Sequence, residues 1–100
     1  MDIQYTPALR EYMEKAGKKD IVVEMVEINN SDLDVTELHV HFLNDRMKEQ
    51  FLTKRRYRAV ETELGVVLFP PFPLKIEPVV TLGLKQFLCF RSISCTGIKV

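Results

Sequence analysis

The sequence predicts a small α+β domain that is mainly β, with one N-terminal helix packed on about six strands. Two observations support this class. A capped amphipathic segment opens the chain, and runs of β-branched or alternating apolar residues follow it, separated by turn residues. The 100 residues suffice for one modest core, so we expect residues 1–100 to form a single domain.

The predicted helix begins after Thr6. This residue suits the N-cap, and Pro7 suits the first helical position. Gly17 is placed to end the helix in a left-handed conformation. The apolar face between these signals consists of Ala8, Leu9, Tyr12, Met13 and Ala16.

Two strands are predicted next. Residues 21–28 are rich in β-branched side chains, and residues 29–32 form a turn cluster. Residues 35–43 alternate strictly between apolar and polar, as in a half-buried strand. The apolar face of this second strand comprises Leu38, Val40 and Phe42.

The second half of the chain gives weaker signals. Residues 44–50 are polar and fit either a loop or one helical turn, and residues 51–60 are predicted to be extended. The remaining predicted strands are 64–69, 74–82 and 84–100, with Gly83 near the junction of the last two.

Composition excludes some broad functions. The net charge is zero, so no global charge draws the chain to nucleic acid or to a membrane. Residues 1–50 hold six basic and eleven acidic side chains, and residues 51–100 hold eight and three. This asymmetry leaves open a self-complementary surface and a homodimer. No signal peptide or apolar run of ~18 residues is found, so we expect a cytoplasmic protein without membrane contact.

A candidate metal site lies on the third predicted element. Strand alternation places Glu37, His39 and His41 on one face, with about 7 Å between neighbours. Two such histidines can chelate Zn²⁺ if a third ligand comes from elsewhere. The competing interpretation, which we favour, is a solvated polar face opposite Leu38, Val40 and Phe42.

The two cysteines, Cys89 and Cys95, lie six residues apart. In one extended strand their Cα atoms would be ~20 Å apart, which is beyond the reach of a disulfide. We therefore interpret both as small apolar side chains in a reduced protein.

A basic run with one aromatic residue follows the polar segment and comprises Lys54, Arg55, Arg56, Tyr57 and Arg58. If the run is extended and Tyr57 is exposed, it could bind phosphates and stack on a base. Exposed basic strands also prevent edge-to-edge aggregation. We favour this protective role, and we do not expect nucleic acid as a partner.

Residues 69–73, Phe-Pro-Pro-Phe-Pro, interrupt the strand pattern because proline cannot donate to a β-ladder. They could form an exposed apolar contact for a partner protein. The alternative is that both phenylalanines pack into the core while the prolines turn the chain.

The order of these elements resembles the HesB-like fold of the A-type iron–sulfur carriers. The resemblance rests on the Thr-Pro-Ala helix start, the Val-rich strand and the Leu-Gly-Val-Val-Leu-Phe strand. It is most specific in the final segment, which is similar to the CC/Se-motif branch of that fold. The matching residues there are Leu84, Phe87, Leu88, Phe90, Ile93, Gly97 and Ile98. The resemblance implies a HesB-like β-sandwich.

The cysteines that the resemblance would require are missing. Residues 28–34 contain no cysteine, and Cys95-Thr96-Gly97 lacks a second cysteine two positions further on. A cluster needs about four thiolates or histidine replacements, so Cys89 and Cys95 could hold one only across a dimer. We also find no P-loop, dinucleotide fingerprint or Cys-x-x-Cys motif.

These observations predict a non-enzymatic HesB-like domain that binds a protein partner or itself and carries no cofactor. One alternative is a metal or iron–sulfur carrier that uses Glu37, His39 and His41, or Cys89 and Cys95 across a dimer. The other is weak nucleic-acid binding through residues 54–58.

Overall fold

A computed structural model of the chain describes residues 2–29, 34–87 and 90–99. It confirms a mainly β protein of the α+β class, with two helices and two sheets. Neither described helix is long and apolar enough to cross a membrane. In chain order, the elements are β1 (Asp2–Tyr5), α1 (Pro7–Ala16), β2 (Asp20–Asn29), β3 (Asp34–Leu43), α2 (Asp45–Thr53), β4 (Arg58–Glu61), β5 (Val66–Phe69), β6 (Lys75–Phe87) and β7 (Phe90–Lys99).

The strands form two separate sheets. Sheet A has the order β1-β6-β7, with β1 parallel and β7 antiparallel to β6. Sheet B has the order β3-β2-β5-β4, in which only the β2–β5 pair is parallel. Among the described strands, the edges of these sheets are therefore β1, β7, β3 and β4.

One core joins both sheets and the first helix. It contains Leu9 and Met13 of α1, side chains of sheet A such as Leu82, and Ile21 and Val23 of sheet B. A smaller cluster lies on the opposite face of sheet B, where Phe51 of α2 and Tyr57 pack against Val22, Leu43 and Leu68. Consecutive residues of β2 are consequently buried on both faces of the sheet.

The structure confirms the predicted first helix and its end signals. Thr6 has extended backbone angles, and its Oγ1 accepts a hydrogen bond from the Leu9 N–H at 3.3 Å. Gly17 ends the helix with φ 66°, in the left-handed region. The helix buries Leu9 and Met13, two of the five predicted apolar-face residues.

The prediction of a single helix is wrong, because residues 45–53 form α2. The Asn44 side chain caps this helix by accepting from the Met47 N–H at 2.8 Å. Residues 51–53 are therefore helical rather than extended. The helix forms because Phe51 is buried against sheet B, while Lys48 pairs with the buried Asp20 at 3.3 Å. Both contacts join residues that lie far apart in the sequence, so the local pattern did not reveal them.

The predicted boundary between the last two strands is also wrong. β6 continues through Gly83 to Phe87, and Phe87 lies opposite Phe90 of β7. Gly83 is compatible with the strand interior because the Ser94 side chain packs where a Cβ would be. Residues 84–87 therefore belong to β6, and residues 84–100 do not form one strand. Cys89 lies outside the described residues, and Cys95 lies in β7.

The strand β1 was not predicted. It pairs over only four residues with β6, from Asp2 opposite Val79 to Tyr5 opposite Leu82. Such a short segment carries little local signal, and its pairing depends on residues far along the chain.

An irregularity in the β6–β7 ladder requires a glycine. The register shifts between Ile76 and Thr81, and Gly97 of the opposing strand has φ 93°. A Cβ at Gly97 would overlap the Val79 carbonyl oxygen. Both the backbone angle and the close approach therefore favour glycine at this position.

We expect Gly97→Ala to lower the free energy of unfolding by about 2–3 kcal/mol, because it adds strain and a backbone clash. Gly17→Ala is the matched control, since Gly17 also has positive φ but no atom near its missing Cβ. This control should cost only about 1 kcal/mol. Urea unfolding of both variants measures the difference, and equal losses would contradict the proposed clash.

Candidate functional site

The predicted metal-binding side chains lie on one face of β3 and form two separate contacts. Glu37 and His39 pair with each other at 3.0 Å, and both side chains are about half exposed. His41 instead contacts Glu24 on the neighbouring strand β2, with 2.9 Å between Nε2 and Oε1. The structure therefore directs His41 away from the Glu37–His39 pair.

Glu24 is the centre of a charged cluster that sequence analysis missed. Its second carboxylate oxygen accepts a hydrogen bond from Arg55 Nη1 at 2.7 Å. The two ring nitrogens of His41 have different partners. Nδ1 lies 3.2 Å from the Phe42 carbonyl oxygen, and Nε2 contacts the Glu24 carboxylate. Both of these partners can only accept, so each contact requires a donating ring N–H. We call Glu24, His41 and Arg55 the Glu24 cluster.

Aromatic side chains hold Arg55 in this position. Its guanidinium lies 4.5 Å from the ring centre of Phe51 and 5.1 Å from that of Tyr57. The Tyr57 hydroxyl accepts a hydrogen bond from the Met25 N–H at 3.1 Å. These contacts tie the chain that follows α2 to strand β2.

The cluster determines the ionisation of Glu24. Partial burial by itself raises the pKa of this carboxyl, but the hydrogen bonds and Coulombic attraction from Arg55 and His41 together lower it by more. The net pKa lies below the ordinary value of 4.5. The ionised carboxylate is therefore the form that stabilises the fold.

The described residues contain no group of three or more His, Cys, Asp or Glu side chains that could hold a metal ion. This observation covers Glu37, His39, His41 and Cys95 but not Cys89, which is outside the described residues. Metal binding by these residues therefore stays a prediction.

The basic run is not an extended strand. Lys54 caps α2, Arg56 has φ 55°, and only Arg58 belongs to a strand, β4. Tyr57 is 5% exposed, so the expectation that it could stack on a base does not fit its position in the core. Nucleic-acid binding through the exposed Lys54, Arg55, Arg56 and Arg58 stays a prediction.

Cys95 is a free, half-buried cysteine on the core-facing side of β7. Burial raises the pKa of its thiol, which favours the neutral form at physiological pH. This environment fits a small apolar side chain better than a metal-binding thiolate.

Clefts follow the two lines along which the sheets meet. A polar cleft of about 560 Å³ lies between β1 and β4, and an Arg10–Glu63 ion pair lies within it. Two smaller clefts of about 180 and 230 Å³ lie between β3 and β7, and Val40 and Ile93 line both. Thus β3 of sheet B lies close to β7 of sheet A.

The Phe-Pro-Pro-Phe-Pro segment divides between core and surface. Phe69 is 4% exposed and belongs to the core, whereas Phe72 is 55% exposed. Core packing, one of the two interpretations, is thus confirmed for Phe69 and wrong for Phe72, and contact of the exposed Phe72 with a partner protein stays a prediction.

The four sheet edges differ in how well they are protected against pairing with another strand. β1 and β4 have four residues each, and charged residues occur in both. β3 has ten residues but carries Glu37, His39 and His41 on its polar face. β7 also has ten residues, and the five residues at its centre, 92–96, include no charged residue and no proline.

The Glu24 cluster predicts a stability loss in acid. Because its folded pKa is depressed, Glu24 stabilises the protein fully above about pH 4.5, and this contribution disappears as pH falls through the folded pKa. Glu24→Gln should cost roughly 1–2 kcal/mol at pH 7 and should unfold with a weaker pH dependence below pH 5.

The control is Glu27→Gln, which removes a charge from the same strand at an exposed position. Denaturant unfolding from pH 7 to pH 3 measures both variants against the wild-type protein. An acid dependence of Glu24→Gln equal to that of the wild-type protein would show that the cluster does not stabilise the fold.

Comparison with known proteins identified no relative of this chain. No family model matches the chain, and neither the curated proteins nor the solved structures give a significant match.

Proposed function

We propose that this protein is a non-enzymatic binding domain that contacts another polypeptide through the free edge of β7. One observation carries the proposal. β7 is a ten-residue edge strand whose central residues lack the charges and prolines that protect sheet edges.

Strand addition is the chemistry that such an edge favours. Every second residue of an edge strand directs its backbone N–H and C=O groups away from the sheet, where an extended peptide can pair with them. The β7 side chains between positions 92 and 96 alternate hydroxyl and apolar groups, which suit both faces of an added strand. Backbone pairing would supply affinity, and the side chains would supply selectivity.

We also propose that the two sheets form a HesB-like arrangement, that the chain is one domain, and that it works in the cytoplasm. A core shared by sheet A, sheet B and α1 supports the first two points. Gly97 is one of the residues on which the resemblance rests, and the close approach of the Val79 carbonyl oxygen in the β6–β7 ladder explains why glycine is favoured there. The packing of the half-buried Cys95 against the core supports a role without an iron–sulfur cluster.

Metal binding is the alternative proposal, through Glu37, His39 and His41 or through Cys89 and Cys95 across a dimer. Its structural support is the half-exposed Glu37–His39 pair, which a Zn²⁺ ion could enter. Nucleic-acid binding by residues 54–58 is the weaker alternative, since Arg55 and Tyr57 are already engaged in the packing of α2.

We expect a calorimetric Zn²⁺ titration to show no binding tighter than about 10 µM, because two exposed ligands do not make a closed zinc site. His39→Ala is the matched variant, and it leaves the Glu24 cluster intact. Tight binding that this substitution weakens more than tenfold would favour the metal alternative over the interaction proposal.

Strand addition can be tested with a display library of random ten-residue peptides. We expect selected peptides to shift the backbone amide NMR signals of residues 91–97 and to bind Ser92→Lys/Thr96→Lys protein at least tenfold more weakly. The control, Ala16→Lys/Gln50→Lys, adds the same charge at exposed helix positions. Shifts that centre on Phe72 or on β3 instead would reject β7 as the binding edge.

A further inference from the structure

We propose that the strand added to β7 is β7 of a second copy of this chain, paired antiparallel about a two-fold axis through Ser94. This inference rests on the proposed function and identifies the partner of the same edge. Its basis is that the strand sequence is chemically symmetric about Ser94.

The symmetry is clearest in the five central residues. In an antiparallel pair centred on Ser94, each Ser92 lies opposite Thr96 of the second copy, and each Ile93 lies opposite Cys95. Hydroxyl groups therefore meet hydroxyl groups on the outer face. Apolar groups meet apolar groups on the core-facing side, where Ile93 and Cys95 already pack. Such cross-strand pairs stabilise a sheet.

The pair that flanks these five residues fits the same register. Arg91 would lie opposite Gly97 of the second copy, which has no side chain to oppose it. Phe90 is 70% exposed, whereas Ile98 packs toward the core beyond the irregular position Gly97, so the regular pairing ends with Arg91 and Gly97.

The neighbouring registers are less favourable. An axis through Cys95 places Ile93 opposite Gly97, which removes the apolar cross-strand partner that Ile93 has in the Ser94 register. An axis through Ile93 places Arg91 opposite Cys95 and puts a charge beside an apolar, core-facing side chain. An axis through Ser94 avoids both arrangements.

In the strand order of the described residues, β7 pairs with β6 on one side and with no strand on the other. β3 packs against the core-facing side of β7, where Leu38 and Val40 share a cleft with Ile93 and Cys95. The outward side of β7 includes the exposed Ser92 and Thr96. Two copies would join their three-stranded sheets into one six-stranded sheet.

The contact area limits the strength of this dimer. A five-residue strand pair with its flanking contacts falls below the ~1,200 Å² that stable interfaces bury. We therefore expect a reversible dimer whose population depends on concentration in the micromolar range or above.

Two variants that differ at one residue test the register. Ser92→Lys/Thr96→Lys places lysine opposite lysine twice in the dimer, whereas Ser92→Lys/Thr96→Glu places lysine opposite glutamate twice. Within one chain, both variants set the lysine introduced at position 92 opposite Lys85 and the changed position 96 opposite Thr81, so their effects on folding are matched. Circular dichroism verifies that both remain folded.

We expect sedimentation equilibrium at low salt to show a wild-type dimer, with the Lys/Glu variant dimerising roughly tenfold more tightly than the Lys/Lys variant. The difference should shrink at high salt. Equal dimerisation of the two variants would place the interface elsewhere or in another register, and a wild-type protein that stays monomeric at millimolar concentration would overturn self-pairing.

A cross-linking experiment gives an independent result if either variant misfolds. In a Cys89→Ser/Cys95→Ala background, Ser94→Cys should form an intermolecular disulfide on mild oxidation, because the two copies meet at this residue. Ser92→Cys should cross-link far less, since it lies opposite Thr96; equal cross-linking would reject the Ser94 axis. Failure of both tests while library peptides still bind β7 would reject only the second copy as partner, whereas absence of peptide binding would reject the proposed function itself.

Discussion

Burial of β2 on both faces is the constraint on which the other elements depend. Ile21, Val22 and Val23 are completely buried although their side chains alternate between opposite faces of sheet B. One face is covered by α1 and sheet A, and the other requires α2 with Phe51 and Tyr57. Without α2, Val22 and Leu68 would be exposed to water, at about 1.5–3 kcal/mol for each large side chain. The Glu24 cluster lies beside this second cluster, where Arg55 links the end of α2 back to β2.

The parts of the fold that sequence predicts are those with local causes. Thr6, Pro7 and Gly17 define α1 through contacts within a few residues, and alternation defines β3 without reference to its partners. α2 and β1 were missed because their stability comes from distant residues: Phe51 packs on sheet B, and β1 pairs with β6. The β6–β7 connection was misplaced because Gly83 suggests a turn, whereas its missing side chain serves close packing beside Ser94.

The candidate sites show the same division. The shared face of Glu37, His39 and His41 follows from strand periodicity, but the selection of Glu24 as the partner of His41 depends on the β2–β3 register. Arg55 and Glu24 lie 31 positions apart, so no spacing rule brings them together. The charge-free centre of β7 is visible in the sequence, yet only the strand order shows that this strand is an edge. The sequence therefore shows which strand lacks charged residues at its centre, but it does not show whether that strand lies at the edge of a sheet.

The parallel pairing of β1 with β6 has a consequence for the order of assembly on the ribosome. All four strands of sheet B are complete by Phe69, whereas Asp2 finds its partner only when Val79 has been synthesised. During translation, sheet B can therefore assemble first, while β1 remains unpaired and its backbone groups are hydrated by water. A segment made before sheet B thus acquires its native strand partner only after sheet B is complete.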